Sequence, residues 1–301
     1  MSRSPRVSIG LPVYNAERFV STAIESTLAQ TFGDFELIIS DNASTDGTAD
    51  VCSAFARLDA RIRFVRQPVN CGVNRNHCHV FRMAIGEFFR WAGADDIPTA
   101  ELLAHAVAQM SEDELLVAYV PDAINIDDSG SFLRRLDRNL DLRESDPVQR
   151  ADAVLSRHYQ MVFAQGLMRR AVLVEIDGRW DYFGWDFILL FELALRGQIC
   201  NIAGPPLYRR LHADSAALNT RSVAEVRKWV DPTVGSRVLL PHWRWDWERL
   251  KSAVRSPLSW RDRGRLLLLL GRLIRWDRNQ LAQDLVMATN LVLRRTDRFP
   301  F

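Results

Sequence analysis

Residues Phe88 to Pro98 read Phe-Phe-Arg-Trp-Ala-Gly-Ala-Asp-Asp-Ile-Pro, an apolar and aromatic run that stops in two adjacent carboxylates, Asp95 and Asp96. Two like charges side by side repel each other, and a bound cation or a cation-bound ligand relieves that repulsion. The competing reading of the pair is a solvated turn ahead of a helix opened by Pro98, with Asp96 or Thr99 as its N-cap. If Phe88 to Trp91 is a buried strand, both acids lie at its carboxyl end, where open α/β sheets place their ligand crevice.

Such a strand needs neighbours, and the preceding chain supplies them. Arg6 to Leu11 is rich in β-branched and apolar residues and stops at Pro12, so it reads as the first strand. Asn15 is placed to cap a helix over about Ala16 to Gln30, where Phe19, Val20, Ala23, Ile24, Thr27 and Leu28 recur at three and four. Phe35 to Ser40 is a second apolar run. It ends in the turn-forming stretch Asp41-Asn42-Ala43-Ser44-Thr45-Asp46-Gly47-Thr48 before a helix over about Ala49 to Leu58. Ile62 to Arg66 is a third strand, and a helix over about Val73 to Ala84 precedes the fourth. Strand, loop and helix repeated over about ninety residues predict an α/β fold, a mostly parallel sheet flanked by helices with its loops gathered at one edge.

That edge collects Pro12-Val13-Tyr14-Asn15, Ser40-Asp41-Asn42, Asn70-Cys71-Gly72 with Arg75-Asn76, and Asp95-Asp96. No G-x-G-x-x-G follows the first strand and no G-x-x-x-x-G-K-[ST] occurs, which removes the main support for dinucleotide and P-loop readings. In order and spacing the set resembles the inverting family 2 glycosyltransferases with the Rossmann-like GT-A fold. The resemblance implies a nucleotide-sugar site. Pro12, Tyr14 and Asn15 would line the nucleotide, Asp41 would meet the base, usually uracil, and Arg75 would lie near the diphosphate. Asp95 would face the ribose or sugar, and Asp96 would hold Mg²⁺ or Mn²⁺ against the leaving phosphates. Each also has a structural reading: Asx turns for Asp41 and Asp46, a helix cap for Asn15, a packed loop aromatic for Tyr14, a surface helix residue for Arg75. One departure stands out. Gly93-Ala94 precede Asp95-Asp96, where many members carry the acid that makes a D-x-D motif.

Further on, Leu115 to Tyr119 reads as a strand, Asp122 to Leu142 as a loop-rich excursion, Pro147 as the start of a helix to about His158, and Arg169 to Ile176 as a short helix. Gly178 to Asp186, Gly-Arg-Trp-Asp-Tyr-Phe-Gly-Trp-Asp, then runs into an apolar helix. It is similar to the acceptor-side segment in which the family places a Glu-Asp pair. Asp186 matches the Asp that acts as general base, while Trp185 replaces the Glu. A carboxylate among Trp180, Tyr182 and Trp185 is partly desolvated and its pKa is raised, which suits a base that takes a hydroxyl proton. Asp186 could instead cap the helix, and Asp181 is the alternative base. Tyr208-Arg209-Arg210-Leu211-His212 resembles the family's short motif ending in His, which implies a second metal residue, His212; a structural His is the other reading.

Composition bounds these readings. At 301 residues, 48% hydrophobic and 25% charged, the chain is an ordinary globular one. Residues 1–215 hold 22 Lys plus Arg against 29 Asp plus Glu, and residues 216–301 hold 17 against 8. Six of the nine Trp fall in the basic part, so the expected division is a GT-A domain over 1–215, with a nucleotide half at 1–98 and an acceptor half at 99–215, and a mainly helical appendage over 216–301. The four Cys fit neither a disulfide framework nor a usual zinc spacing. Without a signal core or a leucine run long enough to span a bilayer, the expectation is a cytoplasmic protein. Its Trp-bearing tail either covers the core, pairs two copies, or touches the inner membrane face. The expected function is metal-assisted inverting transfer from a nucleotide-sugar, UDP-linked, to a glycan, lipid-linked or small-molecule acceptor. The alternative is a nucleotide-binding scaffold without turnover. Nucleic-acid binding is disfavoured by the acidic front.

Overall fold

A computed structural model describes residues 4–138, 140–156, 162–176, 180–213, 229–230, 232 and 240–296. The first half alternates as its periodicity predicts: β1 (Val7–Val13), α1 (Glu17–Leu28), β2 (Phe35–Asp41), α2 (Thr48–Leu58), β3 (Ile62–Arg66), α3 (Val73–Met83) and β4 (Phe88–Trp91). These four strands lie parallel, with β1 between β2 and β4, so that Val7 faces Phe35 on one side and Phe88 on the other. Every residue of β2 and β4 is buried, the signature of parallel strands covered on both faces. Alternate side chains feed two cores: Val7, Ile9, Leu11 and Phe88 pack with α1, while Ile38, Phe89 and Trp91 pack with Val80 and Phe81 of α3. β1 runs on through Pro12, because beyond Gly10 it has β2 alone as neighbour and a missing donor is tolerated there.

The second half departs from the sequence reading in three places. Pro98 does not open a helix: Ile97–Pro98 is a short strand, β5, and α4 (Leu102–Glu112) starts later with Glu101 at its N-cap. Thr99 Oγ1 donates instead to Pro206 O, so the turn-and-cap reading of Asp96 and Thr99 fails. β6 (Leu116–Tyr119) is as expected, but the excursion after it contains a hairpin, β7 (Ala123–Ile126) and β8 (Phe132–Arg135). All four β7 residues are buried. Arg169 ends a strand, β9 (Leu167–Arg169), inserted antiparallel between β4 and β6 ahead of α6 (Arg170–Glu175). Strands of two or three residues such as β5 and β9 carry no periodicity, and β7 and β8 lie in a stretch whose charged composition reads as loop.

After α5 (Pro147–Ser156), α7 (Trp185–Arg196), β10 (Gln198–Cys200) and β11 (Leu207–Arg210) complete two sheets, ordered β10-β6-β9-β4-β1-β2-β3 and β5-β11-β7-β8. The predicted end of α5 at His158, together with Gly178 and Arg179, lies outside the described residues. Among the described residues three more helices are bounded: α8 (Pro241–Arg255), α9 (Trp260–Trp276) and α10 (Arg278–Thr296). Ala253, Leu266 and Leu270 share one buried cluster with Val148 and Ala151 of α5 and Phe191 and Leu195 of α7.

Candidate functional site

β5 pairs with β11 beyond the end of β4, and the two acids stand immediately before β5. Arg210 N donates to Asp96 Oδ1 at 3.0 Å, and Gln165 Nε2 donates to Asp96 Oδ2 at 2.5 Å. Burial, and after it the charge of Asp95, holds the Asp96 carboxyl well above the usual carboxylate range. Behind it Arg90 is buried in β4; desolvation lowers its guanidinium and the attraction of Asp96 opposes that shift. Asp95 is the more open of the pair and directs Oδ2 to His212 Nε2 at 3.0 Å. The His212 ring in turn rests 4.9 Å from that of Phe19. Arg210 stitches the corner, donating from Nε to Asp95 O and from one terminal nitrogen to Asp127 O and Asp128 O.

Gly93 is explained by the same corner. A Cβ built on it would lie 2.3 Å from Asp96 Oδ2 and 3.2 Å from Asp95 Oδ1. With Asp96 held from both sides, no acid fits at Gly93. Among the described residues no three His, Cys, Asp or Glu side chains close on one point. One imidazole and two carboxylates at this corner nonetheless suit Mg²⁺ or Mn²⁺ shared with substrate oxygens, the way hard cations bind phosphates, and the hydrogen-bonded oxygens of Asp96 keep second lone pairs.

The nucleotide-side residues meet at the neighbouring ends of β1 and β2, where Val13 stands opposite Asp41. Tyr14 is 46% exposed there, so its ring is open to stacking. Asn15 does not cap α1, whose N-cap position is Ala16 without a side-chain bond. It sits at φ 48°, and its Oδ1 accepts from Thr45 N at 2.9 Å. Asp41 is fully buried; it accepts from Ser44 N at 3.1 Å and pairs with Arg66 at 3.3 Å. Asp46 takes its structural reading, accepting from Thr48 N and Oγ1 and from Glu17 N. Arg75 is exposed on the first turn of α3, between buried Asn74 and Asn76.

Three asparagines tie these loops together: Asn42 and Asn76, already collected at this edge by the sequence reading, and Asn74, which escaped it. Asn76 Nδ2 donates to Ser40 O at 2.9 Å, Asn42 Oδ1 accepts from Cys71 N at 2.9 Å, and Asn74 Nδ2 donates to Tyr182 O at 2.9 Å. A buried side-chain amide at a strand end satisfies backbone groups that no ladder reaches. Gln165 escaped it as well, since it lies in an irregular segment with no periodic signal. Only the contact with Asp96 reveals it.

Asp186 occupies the first turn of α7 at this same edge. The helix start is docked by Trp185, whose ring lies 5.3 Å from Trp91 at the end of β4 and whose Nε1 donates to Asn74 Oδ1 at 3.2 Å. Trp185, standing where the family has a Glu, is thus a buried pillar. Trp180 stacks on it at 5.3 Å. Gly184 precedes the helix at φ 74°, and a Cβ there would meet the Trp245 indole at 2.6 Å. Asp186 does not cap α7, whose N-cap is Gly184 without a side-chain bond; its oxygen accepts from the adjacent Phe187 N at 3.2 Å. Burial pushes its carboxyl up to about 6. A half-buried carboxylate with a weak local donor is a competent proton acceptor near neutrality.

The profile of the family described as Glycosyl transferase family 2 matches residues 8–174. The putative glycosyltransferase EpsE of Bacillus subtilis (strain 168) is 33% identical over 111 residues, which is 36% of this chain and 39% of that one. The matched stretch thus spans well under half of that relative's length. Among solved structures, S. aureus TarS 1-349 in complex with UDP-GlcNAc superposes with a TM-score of 0.61 at 16% identity, covering 97% of this chain and 83% of that one. The mannosyltransferase PcManGT from Pyrobaculum calidifontis, in complex with GDP-Man and Mn²⁺, gives 0.53 at 15% identity over 97% and 86%. At these identities the superpositions establish the fold.

Proposed function

The chain belongs to glycosyl transferase family 2, and from that membership we propose that it is an inverting transferase moving a sugar from a nucleotide-diphosphate donor to an acceptor hydroxyl. The observation that carries the reading is the placement of Asp186. Its carboxylate, raised to about 6, stands on a helix start that Trp185 docks against the end of the strand leading to Asp95 and Asp96. The donor lies along the carboxyl ends of β1, β2 and β4, with Pro12, Tyr14, Asn15 and Asp41 toward the nucleotide, Arg75 toward the diphosphate and Asp95 toward the ribose or sugar. UDP is the favoured nucleotide, in keeping with the UDP-GlcNAc complex of TarS.

Asp96 and His212 are the proposed metal residues, with Asp95 directly against the imidazole. A bound Mg²⁺ or Mn²⁺ supplies charge that stabilises the departing diphosphate. Asp186 takes the proton of the acceptor hydroxyl as its oxygen attacks the anomeric carbon from the face opposite the diphosphate. That bond forms as the sugar–phosphate bond breaks, so configuration inverts: an α-linked donor gives a β-linked product. The chain works at the cytoplasmic side on a glycan, lipid-linked or small-molecule acceptor.

The test is a thermal-shift screen of UDP-, GDP- and dTDP-sugars with and without Mn²⁺, followed by donor hydrolysis and transfer assays. Stabilisation by a nucleotide-sugar with turnover and an inverted product supports the reading. Stabilisation without hydrolysis or transfer across donors and acceptors favours a nucleotide-binding scaffold instead.

A further inference from the structure

α9 packs one side on the core and leaves the other open. Leu266 and Leu270 seat it on the core, as expected. At 100° per residue the opposite side carries Arg261, Leu268, Arg272 and Arg275, all exposed, with Leu268 at 69%. A tryptophan stands at each end of the helix, Trp260 at 84% and Trp276 at 85% exposure. Asp262, the only acid in the helix, lies toward the core side and bonds Ser259 and Arg265. The outward face is therefore a row of cations around one leucine, beside a groove shared with Val148, Gln149 and Asp152 of α5, and the two indoles, about 24 Å apart along the axis, stand on its opposite flanks.

This composition selects its partner. Large exposed aromatics are costly in water and favoured at the boundary of headgroups and acyl chains, while arginines on the same face seek phosphate anions. A second copy meeting this face across a two-fold axis would bring arginine against arginine, and the cores of protein interfaces are depleted in charge. No helix among the described residues is long and apolar enough to cross a membrane, so the helix would lie on a bilayer. The sequence concentrates positive charge in this part of the chain: 17 Lys plus Arg against 8 Asp plus Glu in residues 216–301, while residues 1–215 are net acidic. An anionic surface therefore attracts the molecule by this side and repels it by the other.

We propose that the outward face of α9 docks on an anionic lipid bilayer surface, with Trp260 and Trp276 as interfacial anchors and Arg261, Arg272 and Arg275 over the headgroup phosphates. The proposal is independent of the transferase reading, and its test involves no turnover. The full chain is co-sedimented with phosphatidylcholine vesicles carrying about 30% phosphatidylglycerol and with pure phosphatidylcholine vesicles. Expected are binding to the anionic vesicles at least about tenfold stronger than to the neutral ones, and its loss as salt rises from about 0.1 to about 0.5 M. Arg272→Glu with Arg275→Glu should lower anionic binding at least about tenfold, Arg272→Lys with Arg275→Lys should retain it, and Trp260→Ala with Trp276→Ala should weaken it at about 0.1 M salt. All these positions are exposed, and thermal unfolding confirms that each variant keeps its fold. Equal binding to neutral vesicles, no binding at all, or undiminished binding by the Glu pair overturns the proposal. So does a dimer in sedimentation equilibrium, or a DNA complex, that the Glu pair abolishes while vesicle binding persists.

Discussion

At the scale of single residues, environment sets the chemistry that residue type only permits. Asp186 is an ordinary Asp until burial lifts its carboxyl to about 6. A base must be ionised to take a proton, so kcat/KM is expected to fall about tenfold per pH unit below about 6 and to level off above it. A profile that stays flat from about pH 7 to about pH 5 excludes Asp186 as the base. The sign for stability is the reverse. The folded pKa exceeds the unfolded 3.8, so the contribution of the protonated form is full below about 4 and is lost as pH rises through about 6. Asp186→Asn is therefore expected to raise the free energy of unfolding at about pH 8, by up to about 3 kcal/mol, with little change at about pH 4. The same variant should lose at least about a hundredfold in transfer while its UDP affinity holds, as calorimetry would show. Gly93 makes the complementary case. Gly93→Asp, which would complete a D-x-D motif, is expected to push Asp96 away from Gln165 and Arg210 and to weaken Mn²⁺-dependent UDP binding. Tighter binding in that variant would show that the pocket accommodates the extra acid.

At the scale of elements, the site depends on how α7 and β11 are delivered to the end of β4. α7 begins at Gly184, where a positive φ coincides with contact against the Trp245 indole of α8. Gly184→Ala pays twice, for backbone strain and for the clash, and is expected to cost on the order of 2–3 kcal/mol in chemical denaturation, with kcat reduced because the Asp186 turn is displaced. An unchanged kcat would mean that the turn is held by Trp185 alone. β11 is tied to Asp96 by the bond from Arg210 N, while Gln165, from the turn before β9, holds the other carboxylate oxygen. Gln165→Leu leaves that carboxylate oxygen without its donor and is expected to cost about 1–3 kcal/mol of stability and to raise the Mn²⁺ concentration needed for half-maximal UDP binding. Gln165→Glu, placing a second acid against Asp96, should be worse than Gln165→Leu in stability; the opposite order would show that the Gln165 amide does not act as donor.

At the scale of the whole molecule, the C-terminal helices are part of the core as well as a surface. Phe191 and Leu195 of α7 are buried only with the help of Ala253, Leu266 and Leu270. Glu192 accepts from Ser252 Oγ and from Arg196, joining α7 to α8 through a buried network. Calorimetry of the full chain is accordingly expected to show one unfolding transition, since the helix carrying Asp186 and the helices behind it share one cluster. Two resolved transitions would mark the basic region as a separate unit.

The alternation of strands and helices from Val7 to Trp91 was legible because α1 to α3 show their helical period and the apolar runs between them, four to seven residues long, recur in order. The gathering of Asp95, Asp96 and the loops before them at one edge of the sheet was legible because a parallel topology sends every such loop to one side. The tertiary structure alone decided the rest, through contacts between residues far apart in the chain. Strands as short as β5, β7 and β9 are defined by their neighbours and leave no periodic trace. Gln165 and Arg210 reach Asp96 from 69 and 114 positions away. Trp185, where a Glu was expected, became a buried pillar because Asn74 and Trp91 close around it. The absent acid at Gly93 has its reason only in space: the carboxylate of Asp96 already fills the volume that a side chain there would need.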